Sequence, residues 1–98
     1  MTITEIIEMV ADEFDVSYGE IVGSIRENYI IPARFAVCII LHRRGMSMSR
    51  VGQVLGKRDH TTIRHALERA SYMMDKNPSY RSFIEYMISL KYPLKLCA

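Results

Sequence analysis

The chain has 98 residues, 49% hydrophobic and 24% charged, with a formal net charge of +2. That describes one domain around one core, too apolar for a disordered chain and too short to hold a nucleotide-hydrolysing domain beside anything else. The small net charge hides a split: residues 1–22 carry Glu5, Glu8, Asp12, Glu13, Asp15 and Glu20 with no Lys or Arg, and every basic residue lies beyond Gly23.

The first segment reads as a helix. Thr2-Ile3-Thr4-Glu5 has capping-box spacing, and Ile3, Ile6, Ile7, Val10 and Phe14 recur at helical intervals, leaving the acids to water. Ser17-Tyr18-Gly19-Glu20 repeats the capping pattern and starts a short second helix with Ile21 and Val22, ending near Gly23-Ser24. Residues 24–31 form a connector. Pro32 suits the first turn of a third helix. Phe35 to Leu41, the longest apolar run, is apolar on every face, which predicts the buried centre of the domain and falls far short of a membrane span. His42, Arg43 and Arg44 suit the negative end of that helix, and Gly45 suits its C-terminal cap.

Ser47 or Ser49 can cap a fourth helix with Val51, Val54 and Leu55 inward. Gly56-Lys57-Arg58 is a tight turn. A fifth helix begins around Asp59, and its inward stripe is Ile63, Ala66, Leu67, Ala70 and Met74. Asn77-Pro78 starts a sixth helix, whose Phe83, Ile84, Met87 and Ile88 close the core before Pro93 stops it. The expected fold is an all-α compact bundle of about six helices in a single domain, residues 1–98.

The fourth and fifth helices with their Gly-containing turn have the form of a helix-turn-helix. On a helical wheel Thr61, Arg64, His65 and Glu68 oppose the apolar stripe, so the helix start presents Asp59, His60, Thr61, Thr62 and Arg64 together. These types suit base edges in a major groove. A Thr methyl or an imidazole packs on a thymine methyl, an Asp accepts from a cytosine amino group, and hydroxyls with helix-start N–H groups bind phosphate. Arg43, Arg44, Arg50, Lys57, Arg58, Arg64 and Arg69 would surround that face with the positive charge that supplies most of the affinity for DNA.

The letters sharpen this reading. Gly56-Lys57-Arg58-Asp59-His60-Thr61-Thr62-Ile63-Arg64-His65-Ala66 resembles the signature of the C-terminal DNA-binding domain of the bacterial replication initiator DnaA, which runs Gly-x-Arg-Asp-His-Thr-Thr-Val, two variable residues and Ala. The likeness spans roughly residues 2–75 and is strongest over 47–70. It implies a Trp-repressor-like bundle that binds a short asymmetric duplex site, resembling a DnaA box, as a monomer.

Position by position, the resemblance implies that Asp59, His60 and Thr61 read bases. Arg58 and Thr62 would support the helix start and nearby backbone contacts, with Lys57, Arg64, Arg50, Arg34 and Arg44 as further backbone partners. Arg26 is the candidate for the minor groove. The loop 24–31 departs from the family, which is dense in Lys and Arg there; here Arg26 is its one basic residue. After Pro32 the family usually continues Arg-Gln, and this chain has Ala33-Arg34.

The expected function is sequence-specific binding of double-stranded DNA with a regulatory role in replication or transcription. The thinned loop motivates a second reading, a protein-interaction module that keeps the fold and docks a full-length initiator or another protein through the first or last helix. No enzyme activity, cofactor, nucleotide or membrane partner is expected. The Met1 start suggests a free-standing small protein, the acidic N-terminus is unlike a secretory signal, and Cys38 and Cys97 suit a reducing compartment, so a cytoplasmic, nucleoid-associated location is expected. A metal site is not expected: His60 and His65 are five residues apart and diverge on a helix, and no Cys or carboxylate completes a set. Tyr72, Tyr80, Tyr86 and Tyr92, on the late helices with Met73, Met74 and Met87, read as core edge or partner interface before they read as a stacking surface.

Overall fold

Hydroxyl and carboxamide side chains decide where most of the helices start. The computed structural model describes residues 1–90 as six α-helices: α1 (Ile3–Phe14), α2 (Tyr18–Val22), α3 (Ile31–Arg43), α4 (Met48–Val54), α5 (His60–Lys76) and α6 (Pro78–Ser89). The expectations placed on Tyr92, Pro93 and Cys97 lie outside the described residues. Thr2 accepts from the Glu5 N–H at 3.1 Å while Glu5 accepts from the Thr2 N–H at 2.9 Å, closing the predicted capping box of α1. Ser17 and Glu20 do the same for α2 at 3.0 and 2.9 Å. Of the two serines offered for α4, Ser47 is the cap, accepting from the Arg50 N–H at 3.2 Å. Asn77 closes α5 and caps α6 through the Tyr80 N–H at 3.1 Å. α3 has no side-chain cap; it starts on Ile31-Pro32, where the missing proline N–H costs nothing.

α3 is the centre, touching each of the other five helices. Ala36 through Leu41 are all buried, as an all-round apolar helix requires. Gly45 ends it as expected: the Gly45 N–H donates to the His42 carbonyl and the Met46 N–H to the Leu41 carbonyl, both at 3.1 Å, which folds Met46 into the core.

α1 and α2 pack on α3 from one direction, through Ile6, Ile7, Val10 and Ile21. α5 packs on α3 through Ile63, Ala66, Ala70 and Met74, and α4 packs on both. Leu67, expected inside, is only partly buried. Phe14 joins α1 to α6, lying edge-on to Tyr80 and Phe83 with ring centroids 5.7 and 5.8 Å away.

Tyr80 is buried and donates to the Pro32 carbonyl at 2.7 Å, and burial pushes its phenol well above the usual range. Tyr72 and Tyr86 are both 55% exposed, so the late tyrosines divide between core and surface. Cys38 is a core thiol, pushed up to about 12 by burial. Among the described residues no helix is long and apolar enough to cross a membrane.

Candidate nucleic-acid interface

The five residues between α4 and α5 form a turn that the backbone closes on itself. The Arg58 N–H donates to the Gly52 carbonyl at 2.8 Å, and Gly52 lies so close to the Arg58 carbonyl that a Cβ has no room. Gly56 and Lys57 are both left-handed, with φ of 82° and 63°; the lysine occupies a conformation that costs an L side chain roughly 1–2 kcal/mol. The turn thus delivers α5 at a fixed angle beside α4, the defining geometry of a helix-turn-helix.

Asp59 begins α5. Its carboxylate accepts from the Thr62 N–H at 2.9 Å, and this bond, with lesser help from the Thr62 hydroxyl and the Thr61 N–H, holds its pKa below the usual aspartate value. His60, Thr61, Thr62, Arg64 and His65 are all exposed, while Ile63 and Ala66 are buried. At roughly 100° per residue, Thr61 stands opposite the buried stripe. His60 leans toward α4, where it shares a surface concavity with Ser49, Gln53, Lys57, Arg58 and Asp59. Thr62, His65 and Arg69 lean the other way. They line a cleft of about 250 Å³ whose far wall is Arg26, Ile31, Arg34 and Phe35. The exposed side of α5 therefore has two flanks, one against α4 and one against the loop that holds Arg26.

Gln53, Ser49 and His65 belong to these flanks and were not among the residues singled out from the sequence as DNA contacts, whereas Arg69 was counted there among the surrounding positive charges. Helical phase was the available signal: Ser49 and Gln53 stand one turn apart on the polar side of α4, and His65 and Arg69 likewise on α5. Arg69 is further oriented by the Tyr72 ring, whose centroid lies 5.7 Å from its guanidinium carbon.

The basic residues fall into two groups. Arg26, Arg43, Arg50, Lys57, Arg64 and Arg69 are exposed. Arg34, Arg44 and Arg58, expected as DNA-backbone partners, instead turn their guanidinium groups toward main-chain carbonyls at helix ends. Arg34, 5% exposed, donates through Nε to Ile21 at 2.8 Å and through one terminal nitrogen to Glu20 at 2.7 Å and Ile25 at 2.9 Å. Arg44 donates to Met87 at 2.9 Å, with longer bonds to Leu90 and Ile88. Arg58 donates to Leu55 and, at 2.6 Å, to Gly23.

The physical reason is common to all three. α2, α4 and α6 have no basic residue in their own last turns, so no cationic side chain of their own reaches their terminal carbonyls. A cation from elsewhere in the fold supplies the donors and faces the negative end of the helix. Burial lowers the pKa of both Arg34 and Arg58, and for Arg34 the nearby Arg58 charge adds to the effect. Arg58 braces the turn before α5.

Among the described residues no three His, Cys, Asp or Glu side chains come together in a way that would hold a metal ion.

Comparison with known proteins agrees with this geometry. The family described as bacterial dnaA protein helix-turn-helix matches residues 3–70. Proteins named chromosomal replication initiator protein DnaA are similar over most of the chain. The one from Ureaplasma parvum is 37% identical over 76 residues, which is 76% of this chain and 17% of that protein. The one from Bifidobacterium animalis is 36% identical over 90 residues, covering 90% of this chain and 15% of that protein. The one from Oenococcus oeni is 30% identical over 86 residues, covering 87% and 19%. The chain thus spans under a fifth of the length of these relatives. The family match covers more than two thirds of the 98 residues, including α4, the turn and α5 as far as Ala70, and the chain belongs to the bacterial DnaA helix-turn-helix family.

Proposed function

We propose that this domain binds double-stranded DNA in a sequence-dependent way, with the first turn of α5 in the major groove. The observation that carries the reading is the exposed run His60–Thr62 at the start of a helix whose opposite side is buried, with Asp59 as its cap. Thr61 at the crest and His60 beside it meet base edges. Asp59 spends one carboxylate oxygen on the Thr62 N–H and offers its other acceptor to a base amino group. Lys57, Arg50 and Arg64 on the α4 flank, with Arg69 and Thr62 on the other, meet backbone phosphates, and Arg26 enters the adjacent minor groove.

Arg34, Arg44 and Arg58 are spent on carbonyls, so the ionic footprint is smaller than the basic content suggests. Five exposed cations border the face. The logarithmic salt dependence should then have a slope of about −3 to −5, at roughly 0.9 per phosphate neutralised. The sites are DnaA-box-like, and the role is regulatory, in replication or transcription, in the cytoplasm at the nucleoid.

Selection of preferred duplexes from a random pool tests this reading. Thr61→Ala or His60→Ala should each relax preference at one or two base positions, at about 1–3 kcal/mol per lost contact. Unaltered site preference in the double variant would remove α5 as the reading element.

A groove between α1 and α6 favours a second reading, in which the domain docks a protein such as a full-length initiator. It combines Asp12 and Glu13 with Met9, Phe83 and Tyr86, so it is both acidic and apolar. Absence of duplex binding at low salt together with capture of an initiator that is lost on changing Asp12 and Glu13 would favour this reading over the first.

A further inference from the structure

Arg58 belongs to the family signature and borders both the concavity that holds His60 and the cleft that holds Arg26, yet both terminal nitrogens of its guanidinium are engaged by main-chain carbonyls. One terminal nitrogen donates to Leu55 at the end of α4, and the other donates to Gly23 at the end of α2, 2.6 Å away. Gly56 presses on the same stretch from its side: a Cβ there would lie 2.5 Å from the Val22 carbonyl oxygen. The turn before α5 and residues 22–23 are therefore joined by both side chain and backbone.

The loop that carries Arg26 leaves from this junction. Two residues on, the Ile25 carbonyl accepts from Arg34 at 2.9 Å, and Arg34 also holds Glu20 and Ile21. Farther along, the Tyr29 hydroxyl donates to the Glu20 carboxylate. The residues immediately before Arg26 are thus pinned at Gly23 by Arg58 and at Ile25 by Arg34. Arg26 itself is exposed and lines the cleft that Thr62, His65 and Arg69 line from α5. Guanidinium is suited to this task because its planar fork reaches two acceptors at once, which an ammonium on a flexible stem does not.

We propose that Arg58 is a positioning residue for DNA recognition and not a phosphate ligand: by tying the turn Leu55–Arg58 to Gly23, it sets where Arg26 stands relative to His60 and Thr61, so the minor-groove and major-groove contacts are held in register. The inference rests on the DNA-binding reading above. Its physical basis is preorganisation. A loop already ordered in the free protein loses less entropy on binding, and two contacts at fixed separation reinforce each other as two independent ones do not. With one basic residue in its loop, this domain depends on Arg26 being well placed.

The test uses the full chain with Arg58→Met and Arg58→Lys. In free protein, amide exchange at residues 24–30 should quicken in Arg58→Met while the core amides of α1 and α3 stay protected; that measurement needs no DNA. In binding titrations, Arg58→Met should weaken the selected duplex by about 5- to 10-fold, the low end of one lost groove contact, with the salt slope unchanged. Arg26→Ala should cost several-fold in the wild type and little in the Arg58→Met background, whereas Arg58→Met and Arg64→Ala should combine additively.

Arg58→Lys should behave like Arg58→Met. Recovery of affinity by lysine, or a slope reduced by about one in Arg58→Met, would identify a phosphate contact and overturn the proposal. Unchanged loop exchange would overturn it independently. A wild-type protein that binds no duplex removes the recognition role along with the proposed function, and quicker loop exchange in Arg58→Met would still establish the tether as a property of the fold.

Discussion

The start of α5 and the loop ahead of α3 border the same cleft, but they are held in place by different means. The start of α5 is locally organised: Asp59 caps it three residues from its partner, and Ile63 and Ala66 anchor it to the core. The end of the loop has a turn of its own, with the Ile30 N–H donating to the Glu27 carbonyl at 3.0 Å and Ile30 buried, but the half that leads to Arg26 has no such local device. It is fixed by Arg34, nine residues from Ile25, and by Arg58, thirty-five residues from Gly23. Local caps survive small changes in their surroundings, whereas a remote tether depends on the whole fold bringing two segments together. Substitutions at the two places should accordingly differ in what they disturb.

The largest expected effect is on the loop. Arg34→Met keeps the apolar stem and removes three hydrogen bonds, leaving the carbonyls of Glu20, Ile21 and Ile25 short of a donor. Partial access to water softens the penalty, and the loss of stability should be about 3 kcal/mol by denaturant unfolding. Amide exchange at residues 24–30 should quicken more than at the start of α5. Equal disturbance of both would show that the two regions are not separately held.

Lys57→Gly should act in the opposite sense on stability. It relieves a left-handed lysine and should stabilise by about 0.5–1 kcal/mol, against some gain in unfolded-chain entropy. It should also lower the salt slope of DNA binding by about one, because an exposed cation beside the recognition helix is lost. A more stable variant with weaker binding would show that the strain is tolerated for the sake of the charge. Unchanged salt dependence would place Lys57 outside the phosphate contacts.

The smallest effect concerns acid. The Asp59 carboxyl titrates below its ordinary value in the fold because the Thr62 N–H favours its charged form. Its stabilisation is therefore complete above the ordinary aspartate pKa of about 4 and is lost as the pH falls through the depressed native value. Asp59→Asn keeps a good cap without a charge. The difference in melting temperature between wild type and Asp59→Asn should be flat near neutrality and should shift against the wild type only in acid. Glu20 also titrates low, held by the Tyr29 hydroxyl, and it contributes equally to both proteins, so the difference isolates Asp59.

Legibility in the sequence followed the range of the interaction. Thr2, Ser17, Ser47, Asp59 and Asn77 each cap a helix three residues from their partners; capping-box spacing announced the first two, residue type announced Asp59, and the sequence left α4 open between Ser47 and Ser49 and marked the start of α6 by Asn77-Pro78. The apolar run at Phe35–Leu41 similarly announced the central helix. The helix-turn-helix and its exposed face were readable because helical phase separates Thr61 from Ile63 without reference to anything else. The carbonyl partners of Arg34, Arg44 and Arg58 were not legible for the converse reason: they lie far along the chain or depend on how the turn folds, and an arginine near a helix-turn-helix resembles a phosphate ligand unless its acceptor is known.

The six helices, the capping boxes of the first two, the central apolar helix, the turn before α5 and the family were legible from the residues alone, because each depends on residues within a turn or two of one another. Which cations remain for a polyanion depends on the packing of distant helices. α2, α4 and α6 end without basic residues of their own, and their carbonyls take donors from arginines brought near by the packing around α3. The charge split read from the sequence is real, but part of the positive charge completes the fold instead of facing outward.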